Sequence, residues 1–439
     1  PPPAELGRRT VLAGAAWTIP AIAAASVAPV AAAASGTVAL AFDRASYSTL
    51  PCGGITDAYV TTTIDGIPAA GVSVTTVLSG GYVFYPAVTT TNTQVSGSDG
   101  RISLPAISAP TTGGNATMSA TASGAASVSS PLSASPGIAL SRFVQVTTSG
   151  QMRQYPFTDL STDWRSVKAQ MFLTPTNDLY YVGTQIASSV VAAVGYTYGR
   201  WNIVDYVLAD GSARSFVRNT TAGTSTDSAV SGTPVGSTPV GALGFIDSNN
   251  DLYYSGSKIA SSVSHCVGYA IQNSYVLEYV VASSGAMRRY TNNKASGTSS
   301  DTAFWGVPVD SVPLGARSFL APSKDLYHGS TQVASGVSSA VAYTFQGSYV
   351  IEYVLSANGS IRRFVNDTST SQQTDSPVTG IPSGSTPVGA QMYITPSNDL
   401  YFQQTRVATG VSRAIGYTFP TEYIVEYVGT PVYEGNVTC

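Results

Sequence analysis

One eight-residue pattern is written four times along this chain: Thr174-Pro-Thr-Asn-Asp-Leu-Tyr-Tyr181, Asp247-Ser-Asn-Asn-Asp-Leu-Tyr-Tyr254, Ala321-Pro-Ser-Lys-Asp-Leu-Tyr-His328 and Thr395-Pro-Ser-Asn-Asp-Leu-Tyr-Phe402. Its leucines, Leu179, Leu252, Leu326 and Leu400, stand 73 or 74 residues apart. A fixed period restricts the fold more than any local propensity, because one repeat cannot bury its apolar face alone and must pack on the next. Each period has two halves with one grammar: an apolar strand, an Asn/Asp/Gly turn, a strand ending in an aromatic residue, then a Val/Ile-rich pair. The first half is the hairpin Tyr353-Val-Leu-Ser-Ala-Asn-Gly-Ser-Ile-Arg-Arg-Phe-Val365, with relatives beginning at Tyr206 and Tyr279 and a shorter version from Val144 to Tyr155. The second half opens with Gly389-Ala-Gln-Met-Tyr-Ile394 and turns at the Asn-Asp of the eight-residue pattern.

A half-period of roughly 37 residues with three or four short strands has the size of a small propeller blade. About eight such units from 138 to 433 predict a β-propeller, with seven blades, four large blades or a linear β-solenoid as alternatives. Tyr423-Ile-Val-Glu-Tyr-Val428 is a surplus copy of the first strand, which ring closure would use to pair the two ends of the array. Residues 434–439 form a short tail.

Residues 36–136 differ from the repeats. Alternating stretches such as Thr37-Val-Ala-Leu-Ala-Phe42, Ala58-Tyr-Val-Thr-Thr-Thr63 and Val72-Ser-Val-Thr-Thr-Val77 read as half-buried strands, with turns at Asp65-Gly66, Gly80-Gly81 and Asp99-Gly100. That spacing fits a β-sandwich. The run Asp65-Gly-Ile-Pro-Ala-Ala-Gly-Val-Ser-Val74, followed by Ser98-Asp-Gly-Arg-Ile-Ser-Leu104, resembles the bacterial immunoglobulin-like domains of invasin- and intimin-type surface proteins. The resemblance covers this region alone, and it implies a stalk or spacer at the cell surface rather than a catalytic unit. The chain as a whole is therefore expected to be all-β, a sandwich followed by a propeller.

In residues 1–35, Gly7-Arg8-Arg9-Thr10-Val11-Leu12 opens an Ala-rich apolar run that ends in small residues near Ala34. This is similar to a twin-arginine export signal with an A-x-A type cleavage site. Pro20 and Pro29 weigh against a transmembrane helix; an uncleaved anchor helix is the alternative. The resemblance implies an exported protein, extracellular or at the cell surface, with no membrane span once the signal is removed.

Composition excludes some partners. Only 10% of residues are charged and the net charge is −3, so no basic field exists to hold a nucleic acid. The three cysteines, Cys52, Cys266 and Cys439, have neither metal spacing nor the density of a disulfide scaffold. They read as isolated thiols, with Cys266 a small core residue, although a Cys52–Cys439 bridge is open to an exported chain.

Residues able to do chemistry are few. The chain has two histidines, His265 and His328, and neither recurs; His328 stands where sister repeats carry Tyr or Phe. Two aspartate series recur: Asp178, Asp251, Asp325 and Asp399 in the turn, and Asp163, Asp227, Asp301 and Asp375 in a longer loop. Regular carboxylates could line a Ca²⁺ site, but singly placed Asp residues are the usual formers of tight turns, so neither calcium nor any other metal or cofactor is favoured. Arg153, Arg214, Arg289 and Arg363 also recur, and pairing with a recurrent Asp is their simplest use. A third acidic series, Asp205, Glu278, Glu352 and Glu426, precedes Tyr-Val in the first strand. A single active site is asymmetric, so carboxylates that repeat argue against an enzyme.

Function is then sought where the copies disagree. Trp164, Trp201 and Trp305 break the pattern, as do His265 and His328, and these five are the candidate ligand-binding residues. Exposed aromatic rings stack on sugars and anchor protein interfaces alike. The sequence thus suggests a non-enzymatic surface protein, an Ig-like spacer presenting a propeller that binds an extracellular glycan or protein. A structural wall or surface-layer component, and a propeller glycosidase or lyase, are the alternatives.

Overall fold

Alternation of β-branched and aromatic residues with Ser and Thr produces strands throughout the computed structural model, which describes residues 37–157, 160–433 and the backbone of 437–438. Among the described residues there is no helix, and hence none able to cross a membrane. The export-signal region lies outside them, as does nearly all of the C-terminal tail.

The first 100 or so described residues form largely antiparallel sheets around one core. Val38–Phe42, Tyr59–Ile64 and Arg101–Ser103 pair on one side. Tyr47–Thr49, Val128–Ala134, Gly114–Ala122, Ser73–Leu78 and Thr91–Val95 pair on the other. Val60, Val74, Tyr82, Ile107 and Met118 from these sheets and their connections fill the shared interior. The Asp65-Gly66 turn has positive φ at both residues (51° and 80°), the geometry of a two-residue hairpin. Cys52 is disulfide-bonded, which corrects its reading as an isolated thiol. Cys266 is a free, half-buried thiol packed at the edge of a core cluster, as its Ala counterparts suggest.

Four large antiparallel sheets alternate along the rest of the chain with four small ones. Large sheets 1 to 3 span 190–229, 263–303 and 337–377. Small sheets 1 to 4 span 165–187, 238–260, 312–334 and 386–408. Large sheet 4 is assembled from both ends of the array. Its strand Glu422–Pro431 pairs with Ala139–Val146 in the register Tyr427↔Ser141, and Ala139–Val146 pairs in turn with Met152–Pro156. The long strand Thr405–Phe419 runs without interruption from small sheet 4 into large sheet 4. This closure is incompatible with a linear solenoid; the arrangement is a β-propeller-like ring.

Closure shifts one assignment. The Val144–Tyr155 stretch resembles the first hairpin of the other repeats, but it occupies the third and fourth strand positions of its sheet, because the second is supplied from the C-terminal side. Gln154 therefore sits opposite Phe143 as Asp227 sits opposite Phe216, and Asp163 does not belong to the Asp227 series.

The recurring eight-residue pattern joins the sheets. Asn177, Asn250, Lys324 and Asn398 take left-handed φ values of 62° to 65°, closing a tight turn at each copy. The carbonyl of that residue then accepts the N–H of a valine in the first strand of the following large sheet: Val190, Val263, Val337 and Val411, at 2.7 to 2.8 Å. Leu179, Leu252, Leu326 and Leu400 are fully buried beneath it. Asp178 and Asp399 receive a hydroxyl hydrogen bond from within their own turn, Thr176 at 2.8 Å and Ser397 at 3.3 Å, and are turn formers.

The first strands of the four large sheets meet around the axis. Thr197 donates its hydroxyl to the Thr418 carbonyl (2.8 Å), Thr418 to Thr344 (2.6 Å), and Thr344 to Ala270 (2.9 Å). Ala270 has no hydroxyl, so the circuit stops one bond short of closing. Gly268 and Gly416 in these strands are obligatory: a Cβ would lie 2.1 Å from the Gly241 carbonyl oxygen in one case and 2.2 Å from that of Gly389 in the other.

Candidate functional site

The third acidic series does structural work. Asp205, Glu278, Glu352 and Glu426 are all fully or almost fully buried. Each reaches from a large sheet to a two-residue turn in the next small sheet. The turns are Ala242-Leu243, Ala316-Arg317, Ala390-Gln391 and Ala169-Gln170, whose residues all have φ between 51° and 62°. Two consecutive non-glycine residues there are strained, and such strain persists only where surrounding contacts fix it. The carboxylates supply the contact: the N–H of Leu243 donates to Asp205 (2.8 Å), that of Arg317 to Glu278 (2.9 Å) and that of Gln170 to Glu426 (2.9 Å). A tyrosine from the axial strand completes each clamp, Tyr269 on Glu278 at 2.6 Å, Tyr343 on Glu352 at 2.8 Å, Tyr417 on Glu426 at 2.6 Å and, more loosely, Tyr196 on Asp205 at 3.4 Å. Burial pushes Asp205 up to about 6 and Glu278 and Glu352 up to about 7, against these hydrogen bonds.

Three aspartates of the longer loops, Asp227, Asp301 and Asp375, are also occupied. Tyr206, Arg214 and Asp227 form a triad in large sheet 1, with the tyrosine hydroxyl 2.9 Å and a guanidinium nitrogen 2.9 Å from the carboxylate. Tyr279–Arg288–Asp301 and Tyr353–Arg362–Asp375 repeat it. The arginine equivalent to Arg214 is thus Arg288 or Arg362, the first of each pair, and Arg289 and Arg363 lie opposite the buried Glu278 and Glu352 instead. In large sheet 4, Ser141 and Gln154 replace the ion pair, and Gln154 donates to Tyr427. Among the described residues no cluster of three His, Cys, Asp or Glu side chains could hold a metal ion.

The departures from the repeat concentrate at two junctions. Between large sheet 2 and small sheet 3, Arg317 takes the turn position held by Leu243 and Gln391 elsewhere. Its guanidinium carbon lies 5.9 Å from the Phe304 ring centre and 6.0 Å from that of Tyr349. Arg289 donates to the Tyr349 hydroxyl at 3.1 Å. His328 packs on Tyr349 and Phe364 with ring centres 5.4 and 5.2 Å away, and its Nε2 is 2.8 Å from the Asn366 amide nitrogen. Four buried polar atoms here have no hydrogen-bond partner: Glu278 Oε2, Arg289 Nε, Arg317 Nε and His328 Nδ1, although Arg289 Nε lies 3.9 Å from Glu278 Oε1 as an ion pair. Trp305, one residue beyond Phe304, is 83% exposed.

The five sequence candidates separate accordingly. Trp305 and His328 belong to this one junction, Trp305 at its surface and His328 only 4% exposed within it. Burial, with Arg317 and Arg289 nearby, lowers the imidazole to about 4, so at neutral pH it is an uncharged aromatic residue with no face for an external ligand. Trp201 stacks on Tyr198 (5.5 Å, 14°) beside an axial cavity of about 210 Å³. Trp164 is half-buried against Tyr180 (4.6 Å) and lines a cavity of about 200 Å³ with Arg413 and Glu426. His265 is exposed on the first strand of large sheet 2, its Nδ1 3.3 Å from the Ser264 hydroxyl.

The second junction, between large sheet 3 and small sheet 4, escaped sequence reasoning. A cavity of about 540 Å³ there is lined by Arg363, Gln391, Tyr393 and Gln403 among others. The signal was present: Tyr393 replaces Phe172, Phe245 and Phe319, and Gln403 replaces Val182, Ser255 and Gly329.

No family model matches the sequence, and no curated protein sequence matches it. Among solved structures the chain is similar to a quinoprotein alcohol dehydrogenase-like protein of Bacteroides thetaiotaomicron, at 8% identity over 76% of this chain and 94% of that one, with a TM-score of 0.27. It is similar to Aleuria aurantia lectin in complex with Fucα1-6GlcNAc, at 11% identity over 81% and 97% of the two chains (TM-score 0.25). AofleA of Arthrobotrys oligospora aligns at 11% identity over 55% and 80% (TM-score 0.26). Superpositions this loose transfer neither ligand nor chemistry, and the fold described above rests on the strand pairing alone.

Proposed function

We propose that this chain is an exported, non-enzymatic binding protein in which an immunoglobulin-like spacer presents an eight-bladed propeller of four double repeats to a glycan. The observation that carries the reading is Trp305. A tryptophan 83% exposed, where sister repeats have Ser231 and Thr379, covers no core and is available to a ligand. Beside it lies the junction with two arginines, Arg317 held near the Phe304 and Tyr349 rings and Arg289 donating to the Tyr349 hydroxyl. An aromatic face next to fixed hydrogen-bond donors is the combination that sugar rings select, their C–H faces stacking while their hydroxyls pair. The occupied state of the recurrent acids supports the non-enzymatic part, since the buried carboxylates are committed to turns and Tyr206, Tyr279 and Tyr353 share theirs with arginines. The disulfide at Cys52 suits an oxidising compartment and so supports export.

A glycan array probed with the full chain and with Trp305→Ala tests this. The expected result is a defined set of bound glycans, with affinity reduced roughly tenfold or more in the variant at unchanged thermal stability. Binding to no glycan, or binding indifferent to Trp305, overturns the reading.

A further inference from the structure

We infer that the cavity between large sheet 3 and small sheet 4 is a second ligand site, specific for a sugar that carries a carboxylate. The choice of a sugar rests on the glycan-binding reading above; the cavity and its charge do not. What opens the cavity is a single side chain. At the matching junction between large sheet 1 and small sheet 2, the loop after the edge strand closes on the turn of the small sheet, and a Cβ on Gly256 would lie 1.7 Å from the Ser231 carbonyl oxygen. Backbone there touches backbone, and no ligand can enter. At the junction in question the residue matching Gly256 is Gln404, and the loop meets it instead: a Cβ on Gly380 would lie 2.6 Å from the Gln404 Cγ. The loop is held away by a side chain's length, leaving about 540 Å³.

The lining defines the ligand. Arg363, Ser376, Thr379, Gln391, Gln403 and Gln404 face the space, and among the lining residues Arg363 is the only charged one. Of the acids nearby, Asp375 binds Arg362 and Tyr353, while Glu352, opposite Arg363 in the sheet, is fully buried on Tyr343 and the Gln391 turn and acts on Arg363 from the interior side, away from the lining. Arg363 Nη1 donates to Gln391 Oε1, which also accepts Gln403 Nε2 at 2.9 Å, so the guanidinium is fixed from one side. A cation oriented in this way, with hydroxyl and amide groups around it and no competing carboxylate in the lining, matches a carboxylate on a polyhydroxylated ring. One charge engages one carboxylate of such a ligand and is a weak match for a phosphate cluster. Two sister junctions lack the set, since Ser215 or Arg289 stands for Arg363, Leu243 or Arg317 for Gln391, and Ser255 or Gly329 for Gln403; the third keeps the arginine and turn glutamine as Arg142 and Gln170 but has Val182 for Gln403 and Gly183 for Gln404.

The test is calorimetric titration of the full chain with tetragalacturonate, with its neutral carboxyl-reduced counterpart, and with a tetraglutamate peptide. Binding of tetragalacturonate alone is expected, weakened roughly tenfold or more by Arg363→Gln. Gln404→Gly, which installs the residue of the closed junction at Gly256 and leaves the clamps intact, is expected to abolish binding without lowering the melting temperature. Trp305→Ala is expected to leave it unchanged. Equal affinity for the neutral counterpart, preference for tetraglutamate, or full affinity in Gln404→Gly each overturns the proposal. If the wild-type chain ignores tetragalacturonate yet binds array glycans through Trp305, this site is refuted and the broader reading stands. Loss of both refutes both.

Discussion

Glu278 on large sheet 2 accepts the backbone N–H of Arg317 in small sheet 3 at 2.9 Å, with Tyr269 donating to the same oxygen at 2.6 Å. The bond connects two separate sheets through a turn whose two residues have φ of 51° and 59°. Glu278→Ala strands a turn N–H and a tyrosine hydroxyl in the interior, and a loss of about 3 kcal/mol is expected, against about 1 kcal/mol for Glu278→Gln, which keeps an acceptor. Urea unfolding of the two variants checks this; equal losses would show that shape, not hydrogen bonding, holds the turn.

The same acids set the pH response. Native-state values of about 6 for Asp205 and about 7 for Glu278 and Glu352 lie above those of the unfolded chain. The folded protein therefore holds protons that the unfolded chain has released. Their contribution is fully present below the unfolded values and is lost as pH rises through about 6 to 7. The protein is expected to be more stable at pH 5 than at pH 8, by about 2 kcal/mol. His328, lowered to about 4, works in the opposite sense, losing stability as pH falls from the unfolded histidine value toward 4. His328→Phe is expected to steepen the gain on acidification, readable from melting temperatures across pH 4 to 8.

The hydroxyl circuit around the axis lacks one member, at Ala270, between Thr344 and Thr197. Ala270→Thr places a donor facing the Thr197 carbonyl and is expected to stabilise the ring by about 0.5–1 kcal/mol. A calorimetric scan that shows no gain would mean that the four axial strands are not related closely enough for the fourth bond to form.

Gly416 approaches the Gly389 carbonyl so closely that a Cβ would lie 2.2 Å away, backbone against backbone. Gly416→Ala is expected to cost about 3 kcal/mol or to prevent folding, whereas Gly124→Ala, at a turn with φ of 74° and open space, should cost only about 1 kcal/mol. Soluble yield and urea midpoints distinguish the two.

Much of the ring was legible because repetition is a sequence property. The Asp-Leu-Tyr copies identified the turns, and Leu179, Leu252, Leu326 and Leu400 are buried as their period requires. What escaped was decided by contacts distant in sequence. Val144–Tyr155 reads like any first hairpin, yet its strand position depends on Glu422–Pro431, which no local pattern announces. The Arg288–Arg289 and Arg362–Arg363 pairs were ambiguous for the same reason, since only the opposite strand decides which member meets Asp and which meets Glu. Glu278 and its relatives recur visibly, but their target is a backbone N–H, which carries no sequence signature. The cavity at Arg363 was concealed by the weight given to tryptophans and histidines, although Tyr393 and Gln403 also depart from their sisters.

Large sheet 4 draws strands from both ends of the array, with Ser141 facing Tyr427, 286 positions apart in the sequence. Every other sheet can form from a local stretch as soon as that stretch exists. This one cannot form until both ends coexist, so the last interface to appear is also the one that joins the two ends of the array to each other. Loop-closure entropy rises only slowly with length, so the delay is one of order rather than of affinity. Until that moment the nearly finished molecule exposes two open sheet edges with matching registers. Two such half-finished chains side by side could satisfy each other's edges, so dilution during refolding should favour monomers, and crowding should favour interlocked pairs.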